Sequence, residues 1–376
     1  MSDKSNPSAA VSTSLRRNRA PLAWVGNGFL LVVAAFAAYI LISNLIKNPI
    51  VFLQNILDGL KLGFVYALIA LGYTMVYGIV KLINFAHGDV FMVGAFTSFF
   101  AVSQFNLHKW PQMLFPGCPV GVSLVVGSLT VILLSMLVCL LLAVTIERVA
   151  YKPLRDAPRI AALITAIGVS FFLEFFGALQ FVFSPRFIPY KSPFDITAWY
   201  VQDGIHPIVS GQASPDNTIS FSNIFLIIMV ASVLVQLFLQ FLVRRTKIGI
   251  DMRATSFDKP TARLMGINVD RVISFTFATG AAFAGLGGVL YAIAYASIWT
   301  QLGILPGLKA FVAAVLGGIG SLPGAFVGAL IMGQAESLTM SYISTPMRDA
   351  VAFTILIIVL LVRPTGIFGE PAGEKA

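Results

Sequence analysis

Long apolar segments, separated by short polar blocks, make up most of this chain. Several windows of eighteen or more residues carry almost no charge, which is the length and character of a membrane-spanning helix. A transmembrane β-barrel would show short segments of alternating polarity instead. The pattern predicts an all-α polytopic membrane protein with about eight to ten transmembrane helices, counting broken and half-length ones. The predicted segments are roughly residues 28–46, 51–80, 88–103, 122–146, 160–183, 221–243, 272–298, 305–335 and 347–362.

Two of these segments predict irregular helices. The stretch 51–80 is longer than one span needs at 1.5 Å per residue, and its four glycines allow either a tilted helix or a broken one. The stretch 305–335 is dense in glycine and has Ser321-Leu322-Pro323-Gly324 in its middle. We expect two half-length helices that are broken at this turn.

A weak internal repeat is also visible. A Lys-Pro pair followed by arginine occurs at Lys152–Arg155 and again at Lys259–Arg263, each time ahead of an apolar helix. Two structural halves, Val51–Phe183 and Phe221–Val362, would suit a transporter. A chance similarity explains the same observation.

The polar block from Lys81 to Asp89 separates two apolar segments, so it must face protein, water or the membrane surface. One interpretation is a proton site, in which His87 titrates near neutrality beside Asp89. The other, which we favour, is a structural or gating role in which Asn84 and Asp89 cap helix ends. Acids inside apolar segments are also candidates for transport or gating, or for ion pairs with another helix or subunit. These acids are Glu174 and Glu336.

Composition and charge support a membrane protein. Of the 376 residues, 57% are hydrophobic and 11% are charged, whereas a soluble domain carries about 25% charged residues. The net charge of +9 does not imply a nucleic acid partner, because 15 of the 25 basic residues form three clusters that the positive-inside rule explains. This rule places the N-terminus and two loops in the cytoplasm, and counting of the spans places the C-terminus there only if the broken segment 305–335 makes zero or two crossings. The clusters are Lys4, Arg16, Arg17 and Arg19; Arg148, Lys152, Arg155 and Arg159; and Arg244, Arg245, Lys247, Arg253, Lys259, Arg263 and Arg271.

Motifs for chemistry are missing from the sequence. The three histidines form no metal-binding pair, and the chain has neither a Gly-x-Ser-x-Gly elbow nor a phosphate-binding loop. Two cysteines, Cys118 and Cys139, make no metal cluster or disulfide framework. We therefore predict no enzyme, no cofactor and no ATP hydrolysis by this chain. An intramembrane enzyme that uses His87 and Asp89 remains a remote alternative without a nucleophile nearby in sequence.

The basic loop 244–271 is too long for a tight connection between helices. It predicts a short helix from about Lys259 to Met265 that ends at Gly266. Such a helix could dock into a groove of another protein, or it could lie on the membrane surface against anionic lipid.

Taken together, the motifs resemble the inner-membrane permease of branched-chain amino acid ABC importers, of the LivH type. The resemblance covers about Asn55 to Gly369. It is carried by Asn55–Leu60, Tyr66–Gly78, Ile83–Asp89, Glu147-Arg148, Tyr151–Arg155, Arg253-Ala254, Ala262-x-x-x-Gly266, Gly285–Leu290 and Leu316–Ala325.

The resemblance implies a set of partners. These are a second homologous permease subunit, two cytoplasmic ATPase subunits, a periplasmic substrate-binding protein and the lipid bilayer of the bacterial inner membrane. It also implies that the basic loop couples the chain to the ATPases. Only Ala262 and Gly266 match the Glu-Ala-Ala-x-x-x-Gly coupling motif, since Pro260 and Thr261 take its first two places. The predicted coupling residues are Arg253, Lys259, Pro260, Ala262, Arg263 and Gly266.

The resemblance also divides the chain. We predict a disordered cytoplasmic tail at 1–27, an additional transmembrane helix at 28–48, the permease domain at 49–369 and a short tail at 370–376. A cleaved signal peptide is the alternative for the first helix, because Ala35-Phe36-Ala37 resembles a cleavage site. Leucine, isoleucine and valine, other amino acids, urea and short amides all stay open as substrates. An ion-coupled secondary transporter is the competing function.

Overall fold

The computed structural model describes residues 39, 41–155, 157–201, 204–208, 218–363 and 365–369. The predicted tails at 1–27 and 370–376 and most of the predicted helix at 28–48 therefore lie outside the described residues. The chain divides into two compact units, residues 1–53 and 54–376. In the first unit, residues 41–47 are helical. All of the sites described below belong to the second unit.

Helices form nearly all of the second unit, which confirms the all-α polytopic class. From Pro49 onward, we number the described helices α1 Pro49–Val80, α2 His87–Ser103, α3 Trp110–Leu114, α4 Val120–Ile146, α5 Arg159–Gly177, α6 Asn223–Arg245, α7 Lys247–Phe257, α8 Lys259–Leu264, α9 Val269–Tyr295, α10 Ile304–Gly317, α11 Leu322–Tyr342 and α12 Met347–Val362.

Five of the described helical segments are long and apolar enough to cross a membrane, and a sixth span results if α2 and the segment Leu107–Leu114, bent by 60°, count as one. Helix α10 is apolar but shorter. The prediction of eight to ten included half-length helices and the helix at 28–48, most of which is not described. The chain is a multi-pass membrane protein.

Several predicted boundaries differ from the structure. Helix α1 is continuous over 32 residues, so the alternative of a broken helix is wrong. Helix α4 does not end in a loop, because a π-helical turn, Glu147–Tyr151, and a 3-10 turn, Lys152–Leu154, continue it. Helix α5 ends at Gly177 and not near Phe183. The basic loop contains a whole additional helix, α7.

The segment between α5 and α6 contains short strands in place of a purely irregular loop. Strands β2 Ala198–Val201, β3 Ile205–Ile208 and β4 Ile219–Ser222 form an antiparallel sheet in the order β3-β2-β4. Strand β1, Ile188–Pro189, pairs with β5, Ser297–Ile298, just after α9. These strands lie at the end of the bundle opposite to the basic loops.

Helix α9 lies at the centre of the second unit and packs against α2 and α4. Small residues allow this close approach: a Cβ atom on Gly94 would lie 2.6 Å from the Gly285 Cα atom. The α10–α11 hairpin and α12 pack together on another side. Ser321 caps α11 by accepting a hydrogen bond from the Gly324 amide, as the predicted turn requires.

The segment Lys81–Ala86, which we call the re-entrant segment, folds back into the bundle. The His87 ring lies 4.7 Å from the Tyr73 ring, between centroids. Tyr73 precedes the end of α1 by seven residues, about 11 Å along the helix axis. Helix α2 therefore begins inside the bundle. Helix α10 begins there too, since a Cβ atom on Gly303 would lie 2.2 Å from the Gly88 carbonyl oxygen.

Candidate functional site

An acidic cluster lies where α2 and α10 begin. The Ser170 hydroxyl of α5 donates a hydrogen bond to Asp89 Oδ2 and lies 3.5 Å from Glu174 Oε1. The two acids are only 1% and 5% exposed. The second Asp89 oxygen, Oδ1, is buried and has no hydrogen-bond donor among the described residues. The structure therefore brings together two predicted candidates that lie 85 residues apart in sequence.

A cavity of about 170 Å³ opens beside these acids, and we call it the acid cavity. Asp89, Ser170 and Glu174 line one part of it, while aromatic and aliphatic side chains line the rest. Phe171 at its rim is about half exposed, at 54%. The cavity thus combines two carboxyl groups with an apolar wall, an arrangement that suits a small amphipathic solute.

His87 does not join the acid cavity. It is 2% exposed, packs against Tyr73 and hydrogen-bonds the backbone of Ile69 in α1. Its neighbour in sequence, Asp89, instead faces α5 through Ser170. The structure thus separates the two residues of the predicted proton site, and His87 contributes to the packing between α1 and α2.

Asn84 belongs to the re-entrant segment and is 5% exposed. Its Oδ1 atom accepts a hydrogen bond of 2.7 Å from the Tyr151 hydroxyl in the π-helical turn. The amide therefore anchors the segment to a neighbouring element, and we observe no helix cap from its side chain.

Glu336 lies in a different place from the acid cavity. It is buried within α11, which continues beyond the predicted end to Tyr342. Its oxygens contact Lys309 Nζ at 2.5 Å and the Tyr66 hydroxyl at 2.7 Å. Lys309 also pairs with Asp349 of α12 at 2.6 Å. These contacts make Glu336 part of an ion-pair cluster that joins α1, α10, α11 and α12.

Residues 244–271, which we call the elbow, include the predicted coupling residues. The predicted short helix is present as α8, and Gly266 follows it with a positive φ of 82°. Ala262 is buried at 3% exposure, and Lys259 Nζ donates a hydrogen bond of 3.1 Å to the Val80 carbonyl. Burial and the neighbouring cations Arg155, Arg263 and Lys81 lower the pKa of Lys259. The elbow is thus fixed to the end of α1.

The tip of the elbow exposes large apolar side chains. Phe257 is 89% exposed, Leu264 88% and Met265 78%. Arg263, 63% exposed, lies 3.9 Å from Asp270. Arg253 lines a separate cavity of about 610 Å³ with Arg244 and Lys81.

The sequence did not assign a role to the ion-pair network beneath the elbow. Glu147, at 0% exposure, accepts hydrogen bonds from Arg155 and, at 2.6 Å, from Ser274 of α9. Arg155 also contacts Asp270 at 2.5 Å, and Lys152 contacts the same acid at 2.9 Å. The available signal was a charged residue, Glu147, at the end of an apolar segment, but Ser274 and Asp270, which join the network from α9, lie more than a hundred residues further along the chain.

Comparison with known proteins identifies the family. The family described as "Branched-chain amino acid transport system / permease component" matches residues 55–360. This chain is a member of that family. The permease is 41% identical over 324 residues to the "High-affinity branched-chain amino acid transport system permease protein LivH" of Escherichia coli, with 86% of this chain and 97% of that protein covered.

Other relatives agree with this assignment. The permease is 39% identical over 327 residues to the "High-affinity branched-chain amino acid transport system permease protein BraD" of Pseudomonas aeruginosa, covering 86% of this chain and 98% of that protein. Among solved structures, "PsaBC from Streptococcus pneumoniae in complex with Fab" shares 14% identity at a TM-score of 0.38, covering 87% and 97% of the two chains. This last similarity is too low to carry a conclusion.

Proposed function

We propose that this chain is the permease subunit of an ATP-driven importer of branched-chain amino acids in a bacterial inner membrane. The observation that carries the proposal is the 41% identity to LivH, which extends over 97% of that protein. In this role the chain pairs with a second homologous permease, two cytoplasmic ATPase subunits and a periplasmic substrate-binding protein. It supplies the path, and the ATPases supply the energy.

The elbow supports docking of an ATPase. Seven cations and three acids give residues 244–271 a net positive charge, while the exposed Phe257, Leu264 and Met265 form an apolar tip. An exposed apolar tip within a charged surface is typical of a protein contact site, because scattered charge favours encounter and apolar burial favours binding. Residues of α7 and α8 together would insert into a groove of the ATPase.

Contacts beneath the elbow connect it mechanically to the re-entrant segment. Lys259 holds α8 to the end of α1, and Asp270 at the start of α9 is held by Arg155. Tyr151, in the same turn as Glu147, is bonded to Asn84 of the re-entrant segment. A rigid-body displacement of the elbow by the ATPases would therefore move the segment that precedes the acid cavity. This movement would switch the path between outward and inward access.

Reconstitution tests the proposal. The purified four-subunit complex with its binding protein, in vesicles, should accumulate leucine, isoleucine or valine only when ATP is supplied. Leu264→Glu should reduce co-purification of the ATPase, and Ile205→Glu, an exposed apolar residue of β3 at the opposite end, should not. Accumulation that is driven by a proton or sodium gradient without ATP would contradict the proposal.

A further inference from the structure

The acid cavity differs from the other buried acids in this chain. Glu147 is paired with Arg155, and Glu336 is paired with Lys309 and Tyr66. Asp89 and Glu174 are similarly buried, yet the residues that line their cavity include no Lys, Arg or His within the described part of the chain. The Ser170 hydroxyl hydrogen-bonds Asp89, and the two carboxyl groups lie within hydrogen-bonding reach of each other. Buried carboxylates are costly unless they are paired.

The open side of the two acids faces the cavity. Asp89 Oδ2 is occupied by Ser170, but Oδ1 is buried without a donor and belongs to a residue that lines the open space. Two facing carboxyl groups favour a cation at this point. None of the described side chains that line the cavity is cationic. A proton shared by the two acids neutralises part of their charge, and a cationic group that enters the cavity can replace that proton.

The other walls of the cavity indicate which kind of molecule bears the cationic group. Tyr73, Phe85 and Phe171 provide aromatic rings, and Ile304 and Leu308 provide aliphatic surface. Aromatic faces attract ammonium groups, and an aliphatic wall accepts an apolar body. Helix α10 begins at the same cavity without a side-chain cap, and its positive dipole end suits a carboxylate. An alkali ion would gain no favourable contact from the apolar wall.

The geometry points to a transient binding site for the primary ammonium group of the transported amino acid, held by Asp89 and Glu174 inside the bundle. The identity of the solute rests on the proposed function, but the recognition of an aliphatic ammonium does not. The site selects for an amine independently of the binding protein. It lies directly after the re-entrant segment, so elbow movement would change its access.

Carbodiimide labelling tests this site in the complete importer, without the binding protein. The reagent modifies carboxyl groups in apolar surroundings, and mass spectrometry locates the modified residues. We measure the labelling rate of Asp89 and Glu174 with leucine, with 3-methylbutylamine, which lacks the carboxylate, and with 4-methylpentanoate, which lacks the amine. Leucine and the amine should slow labelling about threefold at twice the dissociation constant, and the acid should not. Labelling of Asp58, an acid of α1 that does not line the acid cavity, monitors the reagent itself.

Each alternative result overturns the assignment in a different way. Equal protection by 4-methylpentanoate would show that the cavity binds an apolar body, and protection by sodium chloride would show an alkali-ion site. No protection by leucine, in a complex that imports leucine with ATP, would remove the ammonium site and leave the proposed function intact. Protection by the amine, in a complex that does not import leucine, would support the site and contradict the proposed function.

Variants give a second measurement. Asp89→Asn and Glu174→Gln keep the size of each side chain and remove the charge. Each should abolish amine protection at the remaining carboxyl group and lower leucine import at least severalfold per ATP hydrolysed, while the complex still assembles. Asp58→Asn, an acid outside the cavity, should change neither. Unchanged amine protection in both cavity variants would overturn the proposal.

Discussion

The Tyr151 hydroxyl donates a hydrogen bond of 2.7 Å to Asn84 Oδ1. Both residues are at most 5% exposed, so water does not readily replace this bond. One partner lies in the π-helical turn that follows α4, and the other lies in the re-entrant segment that leads to Asp89. Irregular helical turns of this kind frequently occur at functional sites. The bond links the ion-pair network beneath the elbow to the entrance of the acid cavity.

Removal of this hydroxyl should weaken the link while the bundle stays folded. In Tyr151→Phe, Asn84 Oδ1 loses its donor, which costs about 1–3 kcal/mol for a buried acceptor. We expect less leucine imported per ATP hydrolysed, with ATPase binding unchanged. The measurement is the ratio of uptake to phosphate release in reconstituted vesicles.

Tyr190→Phe is the matched control. Its hydroxyl donates to Ser98 at 3.1 Å at the opposite end of the bundle, near β1, and it is similarly buried. Burial raises the pKa of Tyr190 to about 12, so its hydroxyl stays protonated and can donate this bond at neutral pH. The control variant should lose a comparable amount of stability and keep the uptake ratio. An equal loss of the ratio in both variants would contradict a specific role for Tyr151.

Gly266 ends α8 in a left-handed conformation, with a φ of 82° and open space where a Cβ atom would lie. A larger residue is therefore disfavoured only by the left-handed backbone conformation, which costs about 1–2 kcal/mol for a residue with a Cβ atom. We expect Gly266→Leu to displace the apolar tip and uncouple ATP hydrolysis from uptake, with the bundle folded. Asn tolerates this conformation, so Gly266→Asn should retain most of the coupling. Normal uptake by Gly266→Leu would show that the end of α8 has no coupling role.

Pro260 lies in the first turn of the same helix, α8. Its fixed φ suits the first turn of α8, where an amide hydrogen is not needed. Pro260→Leu should therefore loosen the elbow by less than about 1 kcal/mol and uncouple uptake partially. The same uptake-to-hydrolysis ratio measures this effect, and a loss of coupling larger than in Gly266→Leu would contradict the order we expect.

Sequence alone predicted elements whose signals are local. The length of the apolar run predicted α12. The Lys-Pro pair at the start and the glycine at the end predicted α8. The continuation of α4 to Leu154 could not be predicted, because basic residues that serve an ion-pair network have the same pattern as a basic loop. His87 and Asp89 are separated because both lie in α2, and residues two apart on a helix do not face each other. The predicted helix began at Gly88 and left His87 outside it.

The sequence also did not predict which side chains form contacts with residues far away in the chain. Glu174 and Glu336 looked alike as acids in apolar segments, but one faces a cavity and the other faces Lys309. The criterion that selected the two acids, a charged residue within an apolar segment, applies equally to Lys309. Its pairing with residues of two other helices follows only from the fold.

The Lys309–Glu336 pair should stabilise the bundle without a role in the path. Both side chains are 3% exposed, and their 2.5 Å contact lies away from the acid cavity. Lys309→Met would leave the buried Glu336 with only the Tyr66 hydroxyl and the more distant Arg348, at 3.8 Å, at a cost of up to about 3–5 kcal/mol. The double variant Lys309→Met with Glu336→Gln removes both charges and should recover a large part of this loss, because the residues are coupled. Arg348→Met, at 40% side-chain exposure, should cost about 1 kcal/mol or less. Thermal unfolding of the purified complex gives the order of the three variants, and uptake per ATP in the double variant should match the original chain. A double variant that is folded but fails to transport would instead place Glu336 in the path.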